Sequence, residues 1–313
     1  MTPLVTIGIA TYNRADGYLR AALASALAQT YRPLEIVVCD NASTDGTPDL
    51  VEEMADERVR YVRHDTNIGA NANFAACLDE AQGEYFLLLH DDDAIDGDFV
   101  ECAMRALEGS AGVQRPGIIR TGTRVVDATG TLRSERANTA NSGSMSDLVL
   151  AWFDGRTSLY LCSTLYLTKA LREAGGFRSK RDLYNDVAAT LRVAAGHTTL
   201  DVREVKATFR RHGANYGGAQ AIEAWCDDSR YLIDLMCELT PGDAEHLRPR
   251  ALAYFSRNNY NRVSRLNTFT ERTRAYWLVY RSFRFRYSPL GWLARRRFRR
   301  FVETMRAARG TAK

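Results

Sequence analysis

The sequence predicts an α/β fold: a mainly parallel sheet with flanking helices, followed by a helical C-terminal region. Three observations predict it. Short β-rich runs alternate with helical stretches over the first hundred positions, which is the pattern of βαβ units. Polar loops follow the carboxyl ends of those runs, where open sheets of this kind hold ligands. From Ala221 onward helical spacing replaces the alternation.

The elements follow in order. Leu4 to Ala10 is a β-rich run ending in the polar turn Thr11-Tyr12-Asn13-Arg14, and an Ala/Leu-rich helix runs from Gly17 to Gln29. Leu34 to Cys39 is a second strand, closed by Asp40-Asn41-Ala42-Ser43-Thr44-Asp45-Gly46, with a helix from Thr47 to Ala55. Val59 to Arg63 is a third strand, and Asn67-Ile68-Gly69 turns into the helix Ala70 to Ala81. Tyr85 to Leu89 is a fourth strand, running straight into His90-Asp91-Asp92-Asp93. Further on, Ile118 to Val126 and Leu159 to Leu167 read as strands, and 134–146 as a polar, mobile loop. Thr168 to Ala174 and Asp186 to Ala195 read as helices, closed by glycines. The expected organisation is 1–100, 101–220 and 221–313, without internal repeats.

Composition is that of a globular protein. The six cysteines stand singly, with no C-x-x-C pair, so a structural zinc site is not expected and free thiols in a reducing cytoplasm are. The N-terminus lacks the basic region and long apolar run of a signal peptide, and no apolar stretch is long enough to span a bilayer. From Arg281 onward ten arginines and Lys313 face one acid, Glu303. That segment therefore carries +10 and, against the chain's total of +4, leaves the remainder at −6.

Three loops could carry chemistry. The strand delivering Asp91, Asp92 and Asp93 to one point brings like charges together, which costs free energy unless a cation joins them. Mg²⁺ or Mn²⁺ bound through one or two carboxylates plus substrate phosphates accounts for the cluster. An acidic helix N-terminus accounts for Asp96 and Asp98 instead. Asp40 can accept from a base N–H or a ribose hydroxyl; with Ser43 it can equally form a turn and cap the next helix. Thr11-Tyr12-Asn13-Arg14 offers an aromatic face and a fixed cation for a base and a phosphate, or a helix start. No G-x-G-x-x-G follows the first strand, and neither a P-loop nor a G-x-S-x-G elbow is present.

These residues, taken together, resemble a known family. Ile9 to Arg14, Glu35 to Thr47, Asn67-Ile68-Gly69, Gly83-Glu84-Tyr85 and His90 to Asp93 match, in order and spacing, the family 2 glycosyltransferases of the Rossmann-like GT-A fold. Gly175-Gly176-Phe177 with Asn185-Asp186 and Arg192, and Arg211-His212 with Asn215, extend the resemblance to about residue 215. It implies an inverting transferase using a nucleotide-sugar donor and Mn²⁺ or Mg²⁺. By the same resemblance Thr11, Tyr12, Asn13, Arg14, Asp40, Asn41, Asn67, Gly69 and Asp91 serve the nucleotide, with Asp40 on the base. Asp92 and Asp93 meet the metal, Asp186 is the general base, and His212 faces the diphosphate. Two departures stand out. His90 replaces the first acid of Asp-x-Asp-Asp, and Asn185 replaces the acid before Asp186. Read alone, Asp186 is also a helix cap and His212 a structural loop histidine.

Two rival classes make different demands on the sequence. A metal-dependent nucleotidyltransferase calls for a Gly-rich phosphate loop after the first strand, and Thr-Tyr-Asn-Arg stands there. A non-enzymatic nucleic-acid binder calls for a basic body, and the body is acidic; nucleic acid is not expected as a partner. From Leu290, the residues Leu290, Leu293, Ala294, Phe298, Phe301, Val302 and Met305 recur at helical steps among arginines. This fits a helix lying on the inner face of a membrane, near a glycan or lipid-linked acceptor. It also fits a helix docked on the acidic body.

Overall fold

The computed structural model describes residues 2–110, 115–141, 143–212, 220–285 and 287–294. The chain forms two compact units, 1–218 and 219–313.

The first unit is built on β1 (Val5–Thr11), α1 (Leu19–Leu27), β2 (Leu34–Asp40), α2 (Thr47–Glu53), β3 (Val59–Arg63), α3 (Ala70–Asp79) and β4 (Tyr85–His90). Next come β5 (Ala94–Ile95), α4 (Phe99–Gly109), β6 (Ile118–Asp127), β7 (Leu132–Arg136) and α5 (Met145–Phe153). The unit closes with β8 (Thr164–Leu167), α6 (Thr168–Glu173), α7 (Asn185–Gly196) and β9 (Thr199–Arg211). The strands form one sheet in the order β3-β2-β1-β4-β8-β6-β9-β5, with β7 on β6. The long ladders, β1 with β2 and β4, β2 with β3, and β6 with β9, are parallel. The short pairings of β8, β5 and β7 are antiparallel.

Both faces of the central strands are covered, which explains their unbroken apolar runs. Val5, Ile7 and Ile9 point to the side where Leu19, Leu23, Leu50, Phe99 and Met104 of α1, α2 and α4 pack. On the other side α3 lies so close that a Cβ at Gly8 would come within 2.9 Å of Cys77 and 2.8 Å of the Phe86 ring. All six cysteines are free and buried. Arg120 of β6 is wholly buried and paired with Asp201 of β9, Asn138 donating to the same carboxylate at 2.8 Å.

Three expectations are corrected. Residues 134–146 were expected as loop; Leu132–Arg136 instead pairs with β6, and Ser144 opens α5. There Ser144 and Asp147 form a capping box, an S-x-x-D signal readable in the sequence. Leu159–Leu167 is a strand only from Thr164. The carbonyl of Tyr160 accepts from the Ser163 N–H and from the Ser163 and Thr164 hydroxyls, so Leu161–Ser163 winds into a 3₁₀ turn. Thr199–Arg211, for which no element was expected, is a thirteen-residue strand.

The second unit contains α8 (Ile222–Leu239), α9 (Ala244–Val263) and α10 (Phe269–Ser282). α8 buries Trp225, Leu232 and Met236, α9 buries Leu247 and Phe255, and Asn259 donates to Ser229 between them at 2.9 Å. No helix among the described residues is long and apolar enough to cross a membrane. The apolar series Phe298 to Met305 lies outside the described residues.

Candidate functional site

Parallel register brings the three polar loops together. Thr11 pairs with Asp40, and Ala10 with His90, so β1, β2 and β4 end at one edge of the sheet. The first two loops interlock there. Asn13, in the left-handed region at φ 52°, donates its N–H to Ser43 Oγ at 2.8 Å and accepts from the Thr44 N–H at 2.8 Å. Asn is one of the few side chains that settles there readily. Arg14 donates its N–H to Thr47 Oγ1 at 3.1 Å, and Ala15 to Asp45 at 3.0 Å. Tyr12 stays 44% exposed.

Asp40 is completely buried. Its Oδ1 accepts from the N–H and hydroxyl of Ser43, its Oδ2 from Tyr61 at 2.6 Å, and Arg63 lies 3.5 Å away. The carboxylate thus shapes the turn that follows it. Ser43 serves that turn too and does not cap the helix, whose N-cap is Gly46. Asn41 reaches Asn67 at 2.9 Å and takes the Ile68 N–H at 2.8 Å, bracing the third loop. Gly69, at φ 86° with open space where a Cβ would stand, is glycine for its backbone conformation. Buried Asn73 was not foreseen. It donates to the Cys39 carbonyl at 2.9 Å and meets His64 Nε2 at 3.0 Å, which ties α3 to this edge.

The acids after β4 differ in environment. Asp91 lies 3.6 Å from Arg14 and accepts from the Tyr12 N–H. Burial pushes its pKa up to about 6, against Arg14, with Asp92 adding repulsion. Asp93 is 3% exposed, and its pKa is raised well above the ordinary value, by burial first and then by Asp92. It accepts from the Arg210 N–H at 2.8 Å. Asp92 Oδ2 is 2.7 Å from His212 Nε2. Asp96 and Asp98 are elsewhere: Asp96 pairs with Arg124 at 2.7 Å, and Asp98 with Lys206 at 2.6 Å at the start of α4.

His90, read in the sequence as a departure, joins this group. His90, Asp92 and Asp93 each offer one ligand atom, all within 4.8 Å of one another. The ring stacks on Phe74 at 4.9 Å, and its buried Nε2 has no hydrogen-bond partner. Burial lowers its pKa, which favours the neutral, ligating imidazole. Its Nδ1 lies 3.9 Å from Asp93, and an imidazole grouped with two carboxylates fits a divalent cation.

The far wall comes from β9, the strand not foreseen. Arg210 donates from Nε to the Asp92 carbonyl at 3.0 Å. Tyr18, just before α1, holds both residues of that wall: Arg210 lies over its ring at 4.5 Å and His212 packs beside it at 5.4 Å. Asn215 lies outside the described residues. Asp186 sits on the first turn of α7, where its Oδ1 accepts from the Val187 N–H at 2.7 Å; the N-cap position itself is Tyr184. The segment 160–166 reaches both groups, since Cys162 donates to Asp93 while Tyr160 and Tyr166 feel the charge of Asp186. Asn185 donates to Asn71 of α3 at 3.0 Å, so the amide standing in place of an acid cross-links two helices.

One pH prediction follows. The ordinary carboxylate value is 3.8 and the folded value of Asp91 is about 6. Between these the folded chain holds a proton that the unfolded chain has released, so this contribution is full below the lower value and lost as pH rises through the upper. Asp91→Asn should therefore raise the melting temperature of the metal-free chain at pH 7.5 and change it little near pH 4. His90 titrates with the opposite sign, so the difference between variant and parent is the quantity to measure. Equal differences at both pH values would contradict the assignment.

The model of "Glycosyl transferase family 2" matches residues 6–173. The UDP-Glc:alpha-D-GlcNAc-diphosphoundecaprenol beta-1,3-glucosyltransferase WfaP of Escherichia coli is 39% identical over 90 residues, 29% of this chain and 36% of WfaP. The chain spans less than half the length of curated relatives it matches. Among solved structures, residues 1–349 of Staphylococcus aureus TarS superpose with a TM-score of 0.66 at 16% identity, over 89% of this chain and 79% of that one. TarS is also solved with UDP. The mannosyltransferase PcManGT from Pyrobaculum calidifontis, in complex with GDP-Man and Mn²⁺, superposes at 0.52 and 18% identity, over 89% and 75%. The shared fold is GT-A.

Proposed function

The chain belongs to glycosyl transferase family 2, and from that membership we propose that it is an inverting, metal-dependent glycosyltransferase. The proposed reaction moves a sugar from a nucleotide-sugar donor to an acceptor hydroxyl in polysaccharide, glycolipid or other glycoconjugate synthesis. The observation that carries this reading is the meeting of Asp91, Asp92 and Asp93 with Arg14 on one side and His212 on the other. The complexes of TarS with UDP and of PcManGT with GDP-Man and Mn²⁺ support the donor class and the metal. The acceptor named for WfaP supports a lipid-linked one here. Residues 1–100 would hold the nucleotide, 101–220 the acceptor, and 221–313 would be a helical extension.

In this reading Thr11, Tyr12, Asn13 and Arg14 line the nucleotide. Exposed Tyr12 offers a stacking face, and Arg14 a cation toward phosphate. Asp40 acts on the base through the turn it shapes, with Asn41, Asn67 and Gly69 bracing the wall. Asp92 and Asp93, with His90, would hold Mn²⁺ or Mg²⁺, which would supply positive charge against the diphosphate leaving group. His212 donates toward the same oxygens. Asp186 accepts the proton of the acceptor hydroxyl as that oxygen attacks the anomeric carbon from the opposite face. We place the reaction at the inner face of a membrane, with residues 281–313 meeting its surface, because the basic and apolar residues there alternate at helical steps.

A panel of nucleotide sugars, followed by thermal shift with and without Mn²⁺, tests the donor class. Stabilisation by one nucleotide's sugars in Mn²⁺ is expected; no shift with any donor would contradict the reading. Tyr18 supplies a second test. Tyr18→Leu should lower kcat about tenfold, because misplacing Arg210 and His212 costs catalysis. Tyr18→Phe keeps the ring and should turn over near the parent rate. Equal losses in both variants would assign the effect to the hydroxyl, which donates to the Ala128 carbonyl.

A further inference from the structure

The second unit carries an aromatic face that its own packing leaves open. α10 buries only Val279. Its outer side presents Arg274, Trp277 and Arg281, all exposed and spaced three and four residues apart, hence on one side of the helix. Trp277 is 59% exposed. Past the helix end, Arg284 and Phe285 both lie in the left-handed region, at φ 58° and 56°. Neither is glycine, and such residues persist where surrounding contacts hold them. This turn folds the Phe285 ring back to 5.7 Å from Trp277 and 5.1 Å from Tyr280. Phe269 and Leu290, at 78% and 76%, are the most exposed large apolar side chains among the described residues. Between Phe269 and Trp292 the sequence holds five arginines and one acid, Glu271.

We propose that this face, centred on Trp277 and Phe285 and flanked by Arg274, Arg281 and Arg284, docks on an anionic lipid surface. The proposal rests on the membrane-side placement above and deepens it, by assigning contact to residues before the basic tail. Aromatic rings settle at headgroup depth, and guanidinium groups pair with lipid phosphates. The three rings meet at 52°, 65° and 89°. They form an apolar knob, whereas single-stranded nucleic acid calls for open ring faces on which bases stack.

The test is sedimentation of the full chain with phosphatidylcholine vesicles, alone or mixed with phosphatidylglycerol. Binding only to the mixed vesicles is expected, with a blue shift of tryptophan fluorescence. Trp277→Ser with Phe285→Ser should weaken partitioning about tenfold, through lost apolar burial. Arg274→Gln with Arg281→Gln should weaken it about fivefold per arginine. Trp277→Phe should retain binding. Parent-like sedimentation of the Trp277→Ser, Phe285→Ser variant overturns the proposal. If only Arg295→Gln with Arg296→Gln, Arg299→Gln and Arg300→Gln abolishes binding, the membrane placement stands and this face is discarded. Recovery of the parent in every supernatant removes both. Capture on a single-stranded oligonucleotide without vesicle binding overturns the proposal in favour of nucleic acid. Nucleotide binding measured on the same samples reports the transferase site separately.

Discussion

Asp92→Asn is expected to lower sugar transfer by on the order of 10³, with the fold intact, since one preorganised charge contact in a phosphoryl-type leaving-group site carries effects of that size. Asn keeps the side chain's size and one oxygen, so His212 still has an acceptor at 2.7 Å. What disappears is the charge assigned to the proposed cation, between buried Asp93 and half-buried Asp91. Release of nucleoside diphosphate, measured beside a melting curve, separates lost chemistry from lost fold. Full turnover by the variant in the presence of chelator would remove the metal from the account.

Asp186→Asn is expected to cost ~10² to 10⁴ in turnover, the usual range for a general base. The donor's dissociation constant should stay near its parent value, because the residue is assigned to the acceptor. Its Oδ1 accepts the N–H of Val187 at the start of α7, a bond that Asn can also accept, and a melting curve near the parent's is the expected companion result. Near-parent turnover would hand the base role to another residue.

The first half of this architecture was legible because its strands are buried on both faces. Val5 to Thr11 and Tyr85 to Leu89 contain no exposed position, so apolar runs marked them without ambiguity. β9 was missed for the opposite reason. Of its thirteen residues only Thr199, Val202 and Ala207 are buried, and it finds its place by pairing Ile118 with Thr199, 81 residues apart. A charged, half-covered strand gives a weak local signal, and its partner is invisible along the chain. The site shows the same split. Asp91 to Asp93 declared themselves by like charge at a strand end. His90 read as a departure, because its stacking on Phe74 and its nearness to Asp93 are spatial facts. Asp40 illustrates the converse. Its position after a buried strand suggested a base contact or a turn, and in the fold its oxygens accept from Ser43 and Tyr61, which builds the turn.

The central claim is that the acids after β4 take a cation together with a diphosphate. Calorimetric titration of UDP and GDP into the chain, in Mn²⁺ and in EDTA, tests it most directly. One nucleotide should bind about a hundredfold more tightly in Mn²⁺, which corresponds to ~2.7 kcal/mol, and Asp92→Asn should erase that gain. Equal affinity in Mn²⁺ and EDTA, or an undiminished gain in Asp92→Asn, would contradict it.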